Sequence, residues 1–197
     1  GINLIVPRNM TKAAGFYNSI MQTDEPALIV EPLNAYRVKE KKPINLGEFC
    51  YEFGKIEILK KGNDISIVSY GSTLNLVIES IPEFNDLGID VEIIDLQTLI
   101  PFDLSNEILT SVKKTNRIII IDEDVPGGAS AYIMHKLIDE QKIFNYLDSA
   151  PKTLTAKEHR PPYGTDGDYF SKPSIDDILE SVYHIMNESN PEKYPLK

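Results

Sequence analysis

From Asp64 onward, short apolar runs alternate with stretches whose apolar residues recur at helical spacing. Ile65-Ser66-Ile67-Val68-Ser69-Tyr70, Val91 to Leu96, Arg117 to Ile121 and Lys152 to Ala156 have the length and β-branched content of strands. Between them the spacing predicts a helix after Gly71 that Ser72 or Thr73 can cap, one from about Leu104 to Lys114, and one from about Ala129 to Gln141 after Gly127-Gly128. Pro82 lies inside the first of these and is expected to kink or end it. Ser174 and Asp177 form a capping pair for a last helix in which Ile175, Ile178, Leu179, Val182, Ile185 and Met186 recur on one face. Continuous rather than alternating apolar strands imply an α/β fold, a three-layer, mostly parallel sheet with helices on both faces.

The start of the chain follows the same grammar. Asn3 to Val6 reads as a strand ended by Pro7, Asn9 or Thr11 can cap a helix to about Gln22, and Ala27 to Val30 is a second strand. That is the tail of a βαβ unit, so Gly1 is expected to fall inside a domain. From Glu31 to about Gly62, prolines at 32 and 43 and the cluster Lys39-Glu40-Lys41-Lys42 leave one strand candidate, Lys55 to Leu59, and the segment reads as a partly ordered linker. The expected division is 1–43, 44–62 and 63–197.

Charge supports two units. Residues 1–62 carry 9 basic and 7 acidic residues, whereas 63–197 carry 11 and 23, which concentrates the net −10 in the second unit. Such a surface repels nucleic acid and anionic membranes and attracts basic partners. The longest apolar runs, such as Arg117 to Ile121 with its four isoleucines, are far short of the roughly 20 residues that span a bilayer. A single cysteine and no basic-then-apolar leader pattern point to a reducing cytoplasm.

Candidate chemistry is sparse. Cys50 has no histidine within sequence reach and reads as a small buried side chain rather than a nucleophile. In a parallel sheet, ligands bind beyond the carboxyl ends of the strands, which singles out the loops after Tyr70, Leu96 and Ile121. Gly71-Ser72-Thr73 could hold a phosphate, although no glycine-rich phosphate motif accompanies it and plain capping is the simpler reading. Asp122-Glu123-Asp124 could bind magnesium but has no partner motif, and Asp166-Gly167-Asp168 lacks the other ligands of a calcium loop and reads as a turn. His135 and His184 sit in helices without a second ligand at metal spacing. His159-Arg160, in a loop stiffened by Pro161 and Pro162, is a candidate contact, for a ligand or for packing at an interface.

The order of the pieces carries a resemblance. Leu4-Ile5-Val6-Pro7, Asp24 to Pro32, Ile65 to Gly71 and above all Val91-Glu92-Ile93-Ile94-Asp95-Leu96-Gln97-Thr98-Leu99-Ile100-Pro101-Phe102-Asp103 closely resemble the beta chain of thiamine-diphosphate-dependent 2-oxoacid dehydrogenases, and the fused alpha-beta forms most of all. Ser111 to Arg117, Asp122-Glu123, Gly127-Gly128 and Tyr146 to Pro151 extend the match.

The resemblance implies the end of a pyrimidine-binding domain at 1–43 and a transketolase-type carboxyl-terminal domain at 63–197. It implies oxidative decarboxylation of pyruvate or a branched-chain 2-oxoacid with acyl transfer to lipoamide. Thiamine diphosphate and magnesium would serve the intact enzyme; its activating glutamate and active-site histidine loop precede the region matching Gly1, so this part alone is expected to be inactive and to bind neither. No catalytic, cofactor-binding or metal residue is therefore assigned. Some members bind potassium in the loop matching Ile20 to Pro26, but Thr23 and Glu25 occupy the side-chain positions here, and the site is not carried over. The family's Asp-x-Pro-x-Pro turn is replaced by Glu158-His159-Arg160-Pro161-Pro162. The implied partners are a second copy, the alpha part of the enzyme and the basic subunit-binding domain of an acyltransferase. Dimerisation is expected to cover Leu4, Val6, Phe16 and Ile29. A transketolase or deoxyxylulose phosphate synthase, and a flavodoxin-like module binding through Gly71-Ser72-Thr73, remain alternatives.

Overall fold

A computed structural model describes residues 1–164 and 167–196. The larger sheet holds β3 (Glu57–Lys60), β4 (Ile65–Ser69), β5 (Val91–Asp95), β7 (Ile118–Ile121) and β8 (Lys152–Leu154) in the order β3-β5-β4-β7-β8. Strands β5, β4, β7 and β8 run parallel, and β3 closes one edge antiparallel to β5. This is the α/β sandwich expected from the continuous apolar strands.

Side chains alternate between faces along each strand. Ile65, Ile67, Val91, Ile93, Ile119 and Ile121 pack against Leu74 and Val77 of α2 (Thr73–Glu79), Phe84 of α3 (Ile81–Asp86) and Ile178, Val182 and Ile185 of α7 (Ile175–Ser189). On the other face Val68, Ile94, Ile118 and Ile120 meet Ile108 and Val112 of α4 (Glu107–Thr115) and Ile133 of α5 (Ala129–His135), which a π-turn, Lys136–Glu140, prolongs. Each fully buried side chain of this kind contributes about 1.5–3 kcal/mol, so the sheet is the stable heart of the molecule.

Local signals act as expected at several ends. Asn9 caps α1 (Met10–Ile20) by accepting from the Lys12 amide at 2.9 Å, and Ser174 with Asp177 completes a capping box on α7. Pro82 breaks the helix after Gly71 in two, α2 and α3 meeting at Ser80. Ser72, in contrast, makes no cap bond, because its backbone is already helical and its hydroxyl turns to Glu123 at 3.1 Å. Asp166 lies outside the described residues, and Gly167 opens the short helix α6 (Gly167–Ser171).

The first strands build a second, three-stranded sheet of β1 (Asn3–Ile5), β2 (Ala27–Ile29) and β6 (Thr98–Ile100) in the order β2-β1-β6. Strand β6 is not predicted by the hydrophobic pattern. It is short, and only Leu96 and Gln97 separate it from β5, so one apolar run serves two sheets. The main chain turns there at Gln97, whose φ is +59°. Within 44–62, Tyr51 and Phe53 stack around Phe16 at ring centroid distances of 5.4 and 6.3 Å. Phe16 is consequently buried, and Val6 is buried in the cluster that holds Ile56, Val68 and Leu96, contrary to the expectation that a partner copy covers them.

Candidate functional site

The loops beyond the carboxyl ends of β4 and β7 meet at Tyr70 and Asp122. The Tyr70 hydroxyl donates to Asp122 Oδ1 at 2.6 Å, Oδ1 also accepts the Asp124 amide at 3.0 Å, and Oδ2 accepts the Ser130 amide at 2.9 Å. Asp122 is thus fully engaged and 1% exposed. Burial first, and the Asp122 carboxylate second, push the Tyr70 phenol well above its ordinary range. The cleft in front of this pair, about 380 Å³, is lined by Val6, Val30, Glu31, Tyr70, Glu123 and Lys172 among others. Glu123 accepts from Ser72 at 3.1 Å and from Lys172 at 3.4 Å. Two carboxylates beside one lysine do not fit a diphosphate. Among the described residues no group of three His, Cys, Asp or Glu side chains could hold a metal ion.

The stronger constellation lies where the two sheets join. Two acids, Glu92 and Asp95, stand in β5, a strand buried on both faces, and each is 1% exposed or less. A buried carboxylate needs a partner. Asp95 Oδ2 accepts from Arg8 Nη1 at 2.7 Å and its Oδ1 accepts the Gln97 amide at 3.0 Å. Arg8 also pairs with Glu57 of β3, and Lys12 reaches the same Glu57 carboxylate at 3.0 Å while lying 3.9 Å over the Tyr51 ring. Burial holds the Asp95 carboxyl up against the pull of Arg8. At Glu57 burial acts in the same direction but is outweighed by Lys12 and Arg8, and the net shift is downward. Glu92 is held by Ser111 and Lys114.

The rest of the Val91–Asp103 block anchors the neighbouring segments. Val6 donates its amide to the Gln97 carbonyl at 2.9 Å, and Thr98 Oγ1 accepts the Gly54 amide at 2.9 Å. Asp103 accepts the Glu107 and Ile108 amides at 2.9 and 3.0 Å, capping α4, and holds Gln141 at 2.9 Å. The arrangement fixes backbone position and offers no free nucleophile or base. Sequence reasoning missed Arg8, Lys12, Glu57 and Asp95; the available signal was a pair of acids in an otherwise apolar buried strand.

The other singled-out residues are dispersed. Cys50 is exposed rather than buried, because its neighbours Phe49 and Tyr51 turn inward, and its sulfur accepts from Gln22 at 3.2 Å. His135 and His184 are exposed and face Asp139 and Glu180 one helical turn away. His159 Nδ1 donates to the Arg160 carbonyl at 2.8 Å and the ring stands edge-on to Phe170, while Arg160 covers Tyr163. Thr23 donates to the Ile20 carbonyl at 3.1 Å and Glu25 accepts from Asn3 at 3.0 Å. No helix of the described residues is long and apolar enough to cross a membrane.

Residues 54–171 match the family described as "Transketolase, C-terminal domain". The chain is 29% identical to the pyruvate dehydrogenase E1 component subunit beta of Rhizobium meliloti (strain 1021), over 92% of its own length and 39% of the relative's. It is 29% identical to the acetoin:2,6-dichlorophenolindophenol oxidoreductase subunit beta of Bacillus subtilis (strain 168), over 95% of its length and 54% of the relative's. Among solved structures, a split gene transketolase described as an inactive beta4 tetramer superposes with a TM-score of 0.71 at 16% identity, covering 96% of this chain and 58% of that one. The chain therefore spans roughly half the length, or less, of the proteins it matches.

Proposed function

The chain belongs to the transketolase C-terminal domain family, and from that premise we propose that it forms the carboxyl-terminal assembly part of the decarboxylating component of a 2-oxoacid dehydrogenase complex. The observation that carries this reading is the reach of the similarity. It extends over 92% and 95% of the chain, and so takes in most of the residues that precede the matched span 54–171. In this reading residues 1–43 end a pyrimidine-binding domain, 44–62 are a linker, and 63–197 are the transketolase-type domain.

The substrate is pyruvate or a branched-chain 2-oxoacid, and the acyl group passes to lipoamide. Thiamine diphosphate and magnesium belong to the intact enzyme in this reading, which is supported by the acidic lining of the cleft before Tyr70 and by the lack, among the described residues, of any group of three His, Cys, Asp or Glu side chains that could hold a metal ion. The chain's part is mechanical. The salt-bridged joint at Asp95 holds the first unit at a fixed angle to the sheet, and its acidic second unit offers a surface to the alpha part and to a basic acyltransferase subunit-binding domain. Of the acidic loop, Asp124 and Glu123 are exposed and can meet such a partner, whereas buried Asp122 cannot. The expected location is the cytoplasm.

The test is the acceptor specificity of the full-length protein assembled with its alpha part. Carbon dioxide release from pyruvate or 3-methyl-2-oxobutanoate, coupled to lipoamide acylation, is the expected result. Transfer of a two-carbon unit to an aldehyde instead would replace the proposal with a ketol transferase.

A further inference from the structure

The large sheet sends its connections to opposite faces. Helices α2 and α3, which follow β4, pack with α7 on one face, and α5, which follows β7, packs on the other. Because β4 and β7 are parallel neighbours, the chain diverges between their carboxyl ends and a crevice opens there, the usual place for a ligand in such a sheet. The cleft before Tyr70 is one part of this crevice. A second cavity, of about 470 Å³, lies between the first turn of α2, the loop after β7 and the segment that joins α6 to α7, and it shares Ser72, Glu123 and Lys172 with the first.

The lining of this second cavity is mixed in a specific way. Leu76, Pro173 and Ile175 supply apolar walls, and Glu123 and Lys172 stand in it as an ion pair. Lys172 donates to Glu123 at 3.4 Å, a long contact between side chains that are 41% and 46% exposed. An ion pair so exposed is weak, and both groups can take up a ligand in its place. The Ser72 hydroxyl, at 3.1 Å, helps to hold the Glu123 carboxylate. Asp176 also borders the space, but it accepts from the Tyr169 hydroxyl at 2.9 Å and sits in the first turn of α7, where the helix dipole offsets its charge. A phosphate beside Ser72 and Thr73 would meet both carboxylates, and a simple amine would meet Lys172. A molecule that carries both charges together, with an apolar remainder, satisfies the ion pair and the walls at once.

We infer that this cavity binds a free α-amino acid with an apolar side chain, its carboxylate on Lys172, its ammonium on Glu123 and its side chain against Leu76, Pro173 and Ile175. The zwitterion inserts into the Lys172–Glu123 pair and exchanges one weak contact for two charge-assisted hydrogen bonds, with no change in net charge. Lys172 has three protons to donate and Glu123 two oxygens to accept, so neither has to give up its other contacts. Asn75, also in the lining, brings an amide that both donates and accepts. This inference is independent of the proposed activity.

Titration of the chain with L-leucine, followed through its backbone amide resonances in NMR spectra, tests it. Saturable shifts are expected at Ser72, Thr73, Leu76, Glu123 and Ile175, with a dissociation constant in the millimolar range or tighter, and none at β3 on the edge of the sheet. Isocaproate, which lacks the ammonium, and isoamylamine, which lacks the carboxylate, should each bind at least about tenfold more weakly, the loss expected for one hydrogen bond to a charged group. Glu123→Gln and Lys172→Met should weaken leucine by a similar factor, with circular dichroism to verify that each variant is folded. The analogues are compared on the unaltered chain, so the test stands even where a variant fails to fold. No shifts with millimolar leucine, shifts confined to other parts of the molecule, or equal affinity for leucine and either analogue would overturn the inference. So would unchanged leucine affinity in either folded variant, or inorganic phosphate binding at the same resonances as tightly as leucine.

Discussion

In the five-stranded sheet, β4, β5 and β7 are covered on both faces by isoleucine, valine and leucine, whereas the three-stranded sheet is tied to it by charges from residues as much as 87 positions apart in the chain. The first arrangement depends on area removed from water and is tolerant of where each contact lies. The second depends on a few pairs, each of which leaves a buried charge behind if its partner is lost. The two regions should therefore fail differently.

The largest effect is expected in the large sheet. Ile93→Ala removes a side chain at 0% exposure and should cost about 4 kcal/mol, with one cooperative urea transition moved to lower concentration and every probe affected alike. Arg8→Met should cost about 3 kcal/mol, because Asp95 stays buried and unpaired. Here the loss should be local. Native-state hydrogen exchange should speed up in β1 and α1 while β4, β5 and β7 keep their protection, and adding Asp95→Asn should recover part of the loss. Equal loss in both sheets would erase the distinction between them.

That contrast also explains what the sequence made legible. Strands of continuous Ile and Val, separated by Gly71, Gly88 and Gly127 turns and by the Ser174 cap, announce themselves locally, so the large sheet and its helices were predictable within a few residues. Strand β6 was not, since Thr98–Ile100 is too short to show a period and its partner β1 lies nearly a hundred residues earlier. The Arg8–Asp95–Glu57–Lys12 joint was hidden for the same reason: ion pairs have no periodicity. Cys50 misled because exposure alternates along Phe49-Cys50-Tyr51 as the aromatic neighbours turn toward α1. At the candidate site, Asp122 was legible as an acid at a strand end but not as one already occupied by Tyr70 and two amides.

Smaller changes sharpen the comparison further. Ser174→Ala removes the capping box of α7, which packs on the large sheet, and should cost about 1 kcal/mol by thermal melting, with the small sheet's exchange unchanged. Acid should act chiefly on the joint. Glu57 and Glu40 both sit below the ordinary carboxylate range in the folded protein, Glu57 because Lys12 and Arg8 outweigh its burial, and Glu40 because the Met10 and Thr11 hydrogen bonds do. Folded values below the unfolded ones mean that their stabilisation is complete above about pH 4.3 and is lost as pH falls through the lower folded values. Asp95, raised by burial, works in the opposite direction and softens the decline. Hydrogen exchange between pH 5 and 3, corrected for intrinsic rates, should show α1 loosening before the large sheet.

The central proposal is that this chain contributes position and contacts and holds no cofactor by itself. Isothermal titration of the chain with thiamine diphosphate and magnesium addresses it directly. The acidic cleft before Tyr70 and Asp122 predicts no measurable heat of binding at any cofactor concentration that saturates an intact enzyme. A saturable heat with micromolar affinity would contradict the account and place a cofactor site within these residues.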